Sequence, residues 1–266
     1  MKKTDYQAVK LQKGEMRVYD FGTAKLHAYQ TNDLINDEVF ILEKNGRAVV
    51  VEAPCFFDNI AELTRYIKEN SLTVEALLLS YHMAGATFLP GVPVYATQSA
   101  GDYSHTGGGK ALVENFAGAF GAAFDASIYT VTNIMETGPV ELAGFKLNII
   151  PTADAFDIEM PEIGAVYTHM LGHDCHSIVA GAGHADALIA QLKSFITRGF
   201  DLVLTSHYTP EDLKDAQTKI DYLEDLKQIA QASPGAEDFK QTVRQRYPAY
   251  SGGNYLEMTG GFVFSA

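Results

Sequence analysis

The stretch Leu79-Ser80-Tyr81-His82-Met83-Ala84-Gly85-Ala86-Thr87-Phe88-Leu89 decides how the chain is read. It opens on the end of the run Ala76-Leu77-Leu78-Leu79, whose length and apolar character suit a strand buried on both faces. A histidine follows just beyond the run. The same arrangement recurs twice. His169 lies within the run Ala165–Leu171, with His173 just past it, and His207 follows Asp201-Leu202-Val203-Leu204-Thr205. Strand ends on one side of a sheet can converge, so residues distant in the chain can share a pocket. Imidazoles and carboxylates gathered in this way suit zinc, iron or manganese. A single histidine is more often a hydrogen-bonded packing residue; the repeated placement is what lifts this group.

Outward from that stretch, the first fifty residues read as strands at 15–20, 24–30, 37–43 and 47–52. Asn45-Gly46 between the last two is a strong hairpin signal, because both turn positions must accept positive φ. A helix follows Pro54, with Phe57, Ile60, Leu63 and Ile67 at helical spacing. Residues 93–96 form a short strand, and 109–123 read as a helix rich in Gly and Ala. In the second half, strands fall at 127–132, 139–142, 145–150, 165–171 and 201–205. A helix spans 185–198 with Leu188, Leu192 and Phe195 facing in. Thr209-Pro210-Glu211-Asp212 reads as the start of another helix, with Thr209 as cap, Pro210 in the first turn and Asp212 completing a capping box. One more helix is expected at 236–246. Strands followed by helices, twice over, predict a mixed α/β (α+β) chain of two halves packed sheet to sheet with helices outside. The chain reads as one domain, 1–266, with C-terminal helices 210–246 packed on it.

These landmarks resemble the metallo-β-lactamase superfamily. In that family a buried strand delivers a Ser/Thr-His-x-His-x-Asp-His-x-Gly-Gly loop, and a short Val-rich strand comes next. Here Leu79–Leu89 followed by Pro93-Val94-Tyr95-Ala96-Thr97 is similar, with His82 the one histidine of the loop. Ile149-Ile150-Pro151-Thr152-Ala153-Asp154 resembles the strand carrying the third-motif histidine, with Asp154 in its place. The segment 165–171 resembles the strand bearing the bridging Asp, with His169 near that position or, in another register, Asp174. Leu202-Val203-Leu204-Thr205-Ser206-His207 resembles the last strand and its Gly-His, with Ser206 replacing Gly. The resemblance implies a four-layer αββα sandwich and a hydrolase-like protein whose metal-binding signature is degenerate. The implied ligands of a single divalent metal (zinc, iron or manganese) are His82, Asp154, His169 and His207. His173, Asp174, His176 and Tyr81 stand as alternative metal or pocket residues.

The segment Gly172-His173-Asp174-Cys175-His176-Ser177 packs several ligand types together, yet neighbouring loop residues seldom all face one ion. A polar loop rimming the pocket is the plainer reading, with substrate contact as its rival. His105-Thr106-Gly107-Gly108-Gly109-Lys110-Ala111 lacks the upstream Gly and the Ser/Thr of a phosphate loop. It reads as a mobile loop bordering the cleft. No Gly-x-Ser-x-Gly elbow is present. His27 and His184 read as structural. The tail Tyr247-Pro248-Ala249-Tyr250 through Tyr255 reads as core packing, with contact to a partner subunit, and so a homodimer, left open.

Composition bounds the partners. The 266 residues carry a net charge of −13, which repels nucleic acid and anionic membrane. No run approaches the ~18 apolar residues of a membrane span. The two cysteines, Cys55 and Cys175, make no disulfide framework and read as free thiols in a reducing compartment. The expected location is cytoplasmic, or periplasmic had a signal peptide been removed. The partner left is a small molecule. The reading divides between a one-metal hydrolase for an ester, thioester, lactone or amide, and a non-catalytic binding protein that keeps the fold. Metal-free acid–base chemistry by His82 or His169 with Tyr81 or Asp174 ranks last.

Overall fold

A computed structural model describes residues 1–169 and 171–265. By its contacts the chain forms two compact units: residues 1–170 with 201–210, and residues 171–200 with 211–266.

The first unit contains both sheets. The larger runs in the order β1 (Gln7–Lys10), β2 (Glu15–Asp20), β3 (Lys25–Gln30), β4 (Glu38–Lys44), β5 (Arg47–Val51), β6 (Thr73–Leu78), β7 (Val94–Ala96) and β8 (Asn133–Ile134). Strands β1 to β5 pair antiparallel, whereas β5 to β8 are parallel neighbours. Asn45 and Gly46 both take positive φ, 54° and 75°, and close the β4–β5 hairpin as the sequence predicts. The smaller sheet contains β9 (Gly138–Leu142), β10 (Phe145–Pro151), β11 (Phe156–Met160), β12 (Ala165–Thr168) and β13 (Leu202–Thr205). Its first four strands pair antiparallel and β12 runs parallel to β13.

The two sheets share one core. Val49, Val50, Val51, Leu77 and Leu78 from the first and Phe145, Ile149, Phe156, Ile158 and Tyr167 from the second belong to the same buried cluster. Phe40 meets Tyr167 edge to face across it, ring centres 6.1 Å apart. Each such fully buried side chain contributes ~1.5–3 kcal/mol relative to exposure. Ser80 Oγ donates to Phe156 O at 2.6 Å and accepts from Phe156 N, which ties the end of the larger sheet to the smaller one. Helix α1 (Phe57–Glu69) covers the larger sheet with Ile60, Leu63, Tyr66 and Ile67. That double cover explains why β5 and β6 read as unbroken apolar runs. Phe57 is exposed, so the buried face starts one turn later than the spacing suggests. Two further helices of this unit, α2 (Gln98–His105) and α3 (Gly108–Phe120), meet at the Gly-rich segment 105–109.

The second unit is helical: α4 (Ala182–Arg198), α5 (Leu213–Ala232), α6 (Ala236–Arg246) and α7 (Gly253–Phe264). Ile189 rather than Leu188 is buried on α4, beside Leu192 and Phe195. Helix α5 begins later than Thr209-Pro210 implies. Asp212 is its cap, accepting from the backbone N–H of Lys214 and Asp215, and the Asp215 carboxylate completes the box on Asp212 N. The residue before it, Glu211, is held instead by Gly172 and His173, so the chain turns helical only after it. The Gly-rich tail carries the helix α7, which its composition conceals.

The expected strand at 127–132 is absent apart from a bridge between Ile128 and Ala84. This segment bonds to the loop 83–86, whose Gly85 has φ +86°, and an irregular partner cannot support a ladder. Strands β1, β8 and β11 and helix α2 are additions to the sequence reading. Met170, inside the strand expected at 165–171, lies outside the described residues. No helix among the described residues is long and apolar enough to cross a membrane.

Candidate metal centre

The C-terminal ends of the parallel pairs β5/β6 and β12/β13 carry the residues of one site. His82 follows β6, His169 follows β12 and His207 follows β13. One nitrogen from each of these imidazoles lies within 4.8 Å of the other two. The ring centres are 4.8–5.1 Å apart, and the planes are tilted or edge-on rather than stacked.

Asp154 stands outside this triangle. Thr152 N donates to Ala155 O and Ala155 N to Thr152 Oγ1, and this tight turn carries Asp154 into solvent. There it lines an open cleft with Ser99, Asp102, Tyr103, Thr106, Gly107, Gly108 and Ala153. Its assignment as a ligand is therefore corrected. The carboxylate of the site is Asp37, one residue before β4 and 1% exposed. Its Oδ1 is 3.5 Å from His82 Nδ1 and 3.4 Å from His207 Nδ1, and its Oδ2 accepts from the Cys55 thiol at 3.2 Å. His207 Nδ1 also lies 3.2 Å from Ile35 O, and His169 Nδ1 lies 3.2 Å from Ser206 Oγ. The Nδ1 edge of each of these three rings thus faces a polar partner, whereas the Nε2 atoms of His82, His169 and His207 take no hydrogen bond from the described residues.

Burial sets the charge state. Desolvation pushes His82 down to about 4 and His207 down to about 3, and the His82 charge opposes protonation of His207 further. His169 is held well below its usual value by burial, then by the two neighbouring rings. All three are therefore neutral at pH 7, the form that binds a cation. Asp37 is pushed well above the usual carboxylate range by burial and by Asp33.

Asp37 Oδ1 and His82 Nδ1 are buried and make no hydrogen bond to each other or to anything else. Such atoms are costly in an apolar interior. A cation on the imidazoles would favour the ionised carboxylate and polarise the N–H toward it, which is how ligating histidines are commonly supported. Three neutral imidazoles backed by a carboxylate and a hydroxyl fit a single zinc-type ion.

The surrounding residues brace the site. Glu52, fully buried at the end of β5, accepts from Ser80 N, Tyr81 N and His82 N. It has a positive φ of 64°, a conformation rarely taken by a residue other than Gly. Burial raises its carboxyl to about 6, although these hydrogen bonds and one from Tyr167 oppose the shift. Tyr81 stacks on His169 with ring centres 4.2 Å apart, and its hydroxyl meets Thr152 Oγ1 at 2.9 Å. Tyr103, on the wall of the open cleft, packs edge-on to Tyr81. Gly85 explains the thin first loop: a Cβ there would sit 2.3 Å from Pro54 O, so no ligand side chain fits.

Asp37, Glu52, Tyr167 and Ser206 are site components that the sequence reading did not place there. Glu52 left the plainest trace, a lone acid closing Val49-Val50-Val51 before Pro54.

His173, Asp174 and His176 belong to the helical unit and its own network. His173 Nδ1 is 2.6 Å from Glu211 Oε1 and 3.6 Å from Asp215 Oδ1. Asp174 O accepts from Ser251 N. His176 is buried, lies 3.0 Å through Nδ1 from the Tyr222 hydroxyl, and is pushed down to about 4 by burial and by Lys219.

No protein-family model and no curated protein sequence matches the chain. Solved structures do. The stereoselective inverting sec-alkylsulfatase Pisa1 from Pseudomonas sp. superposes with a TM-score of 0.62 at 14% identity, over 89% of this chain and 48% of that one. The chain therefore spans about half the length of that sulfatase. A metallo-β-lactamase from Erythrobacter litoralis gives 0.55 at 13% identity, over 83% of this chain and 96% of its own. DIM-1 metallo-β-lactamase gives 0.52 at 15% identity, over 82% and 99%. At such identities the shared property is the architecture, and by that measure the chain has the metallo-β-lactamase fold.

Proposed function

We propose that this chain is a hydrolase-like protein with a reduced, single-metal site, held by His82, His169 and His207 and oriented from behind by Asp37 and Ser206. The observation that supports this best is the division of the imidazole edges: Nδ1 atoms face polar partners and Nε2 atoms take no hydrogen bond. When bound, one divalent ion supplies Lewis acidity and an activated water. The protein's own residues do the rest. Asp37 balances charge behind two ligands, the Tyr81 ring shields His169 from solvent, and Glu52 fixes the backbone that presents His82. His82 and His207 keep 22% and 17% of their side chains exposed, so a small molecule can reach them.

The substrate class is an ester, thioester, lactone or amide, and an apolar group on it suits the surroundings. Ile35, whose carbonyl meets His207, and Ala84, two residues after His82, pack with Phe116, Phe120 and Phe124. Helix α3 there leaves Leu112 exposed and Val113, Phe116 and Phe120 only half-buried. The sulfatase among the structural matches is named for an alkyl substrate.

The test is a screen of model esters, thioesters, lactones and amides against chelator-treated protein reloaded with zinc, manganese or iron. Metal-stimulated turnover that is lost in His207→Ala supports the proposal. Absence of turnover with every metal, in protein that has bound one equivalent, rejects catalysis. The second reading, a non-catalytic binder, is favoured by Gly85, which closes the first loop to further ligands. It predicts thermal stabilisation by a small ligand and indifference to EDTA.

A further inference from the structure

Behind His169 runs a buried line of hydroxyls whose direction can be read from its far end. Glu52 faces only donors. Its Oε1 accepts from Ser80 N at 3.2 Å and Tyr81 N at 3.1 Å, and its Oε2 from His82 N at 3.0 Å. Backbone N–H groups cannot reverse their role, and an oxygen that already faces two of them has no free direction for a proton of its own. The Tyr167 hydroxyl, 2.5 Å from Glu52 Oε1, is therefore the donor in that contact. Having one proton, it must accept from Ser206 Oγ, 2.5 Å away on its other side. Ser206 has then spent its own proton, so it can only accept from His169 Nδ1 at 3.2 Å.

We infer that Tyr167 and Ser206 are positioning residues that fix His169 as its Nδ1–H tautomer and leave the Nε2 lone pair for a metal. The nitrogen that carries the proton on a histidine is set by the hydrogen bond of the other, and here that bond is dictated from Glu52 through two side chains. The consequence for metal affinity rests on the function proposed above; the tautomer itself does not. The two hydroxyls come from different places, Tyr167 from β12 and Ser206 from the residue after β13. They are fully buried, so solvent cannot substitute for either.

The experiment is long-range 1H–15N spectroscopy of metal-free protein labelled on histidine, at pH 8, with the His169 signals assigned by their loss in His169→Gln. Wild type should show a protonated Nδ1 and a bare Nε2. Ser206→Ala and Tyr167→Phe should each move His169 toward the other tautomer or a mixture. Tyr167→Phe is the sharper variant, because it keeps the ring volume and never touches His169. Ser206→Thr, which retains the hydroxyl, should restore the wild-type pattern. Zinc affinity should fall about 10- to 100-fold in the first two variants. An Nε2–H form in wild type, or an unchanged tautomer in folded Tyr167→Phe, overturns the inference. If wild type shows the expected tautomer but binds no zinc, the relay stands and the function proposal fails.

Discussion

Among the described residues, two groups of histidine and carboxylate side chains lie close enough together to form a metal ligand set, and their atoms are put to different uses. In the first, at the strand ends, His82, His169 and His207 direct Nδ1 toward supporting groups and keep Nε2 without a bond. In the second, within the helical unit, the groups satisfy one another. Glu211 takes His173 N and Nδ1 on one oxygen and Gly172 N on the other, while Asp215 closes the capping box of α5. The second group is richer in charge, yet its hydrogen bonds already perform structural tasks: a turn is held and a helix is started. Proximity of ligand types is therefore a weaker guide than three coordinating atoms left unbonded beside one another; in the second group both carboxylates are already engaged.

The largest expected effect lies in metal content. Wild-type protein reloaded with zinc should hold about one equivalent, and His169→Ala or His207→Ala should hold less than about a tenth of one. His173→Ala should keep the full equivalent; its loss there would invert the comparison. Next in size, Asp37→Asn should weaken zinc about 10- to 100-fold while leaving the three imidazoles in place. Glu211→Gln should leave zinc affinity alone and instead destabilise the fold by about 1–3 kcal/mol, because buried donors lose their acceptor. Calorimetric titration and urea unfolding separate these outcomes.

The pH response sharpens the contrast further. Imidazoles held near 4 and 3 in the folded protein return to about 6.5 when unfolded. Below 6.5 the unfolded chain binds more protons, so stability is full above that pH and declines as pH falls toward 4 and 3. Glu52, raised to about 6, and Asp37, held well above the carboxylate range, act in the opposite sense and offset part of the loss. The metal-free protein should lose on the order of 1–2 kcal/mol per imidazole by pH 5, seen as a lower urea midpoint than at pH 8. A flat profile in Asp37→Asn, where that opposing carboxyl is gone, would contradict the neutral, buried state assigned to the rings. The smallest effect belongs to the helix start: Asp212→Ala should cost ~1 kcal/mol and leave zinc binding untouched.

Much of the architecture was legible in the chain. Period and composition located β2 to β7, β9, β10 and α1, because these elements bury a regular face. The strand-end position of His82, His169 and His207 was legible for the same reason, since a buried apolar run announces where its own end lies. Asp154 misled because its position was inferred from the strand before it, and a turn of four residues is enough to send it to solvent. Asp37 was hidden because it precedes β4 at a point where an acid has an ordinary structural use. Ser206 and Tyr167 were hidden for a different reason: their role lies in the direction of hydrogen bonds across the two sheets, and neither sequence spacing nor residue type records that. Helix α7 was masked by glycine, whose low helix propensity is outweighed by the burial of Leu256, Thr259 and Gly260.

The most direct test of the central claim is X-ray absorption at the zinc edge of chelator-stripped protein reloaded with one equivalent. Three imidazole nitrogens at about 2.0–2.1 Å, reduced to two in His82→Ala and unchanged in His173→Ala, are the predicted result. Fewer than three imidazoles around the ion in wild type, or a spectrum that responds to His173 and ignores His82, would contradict it.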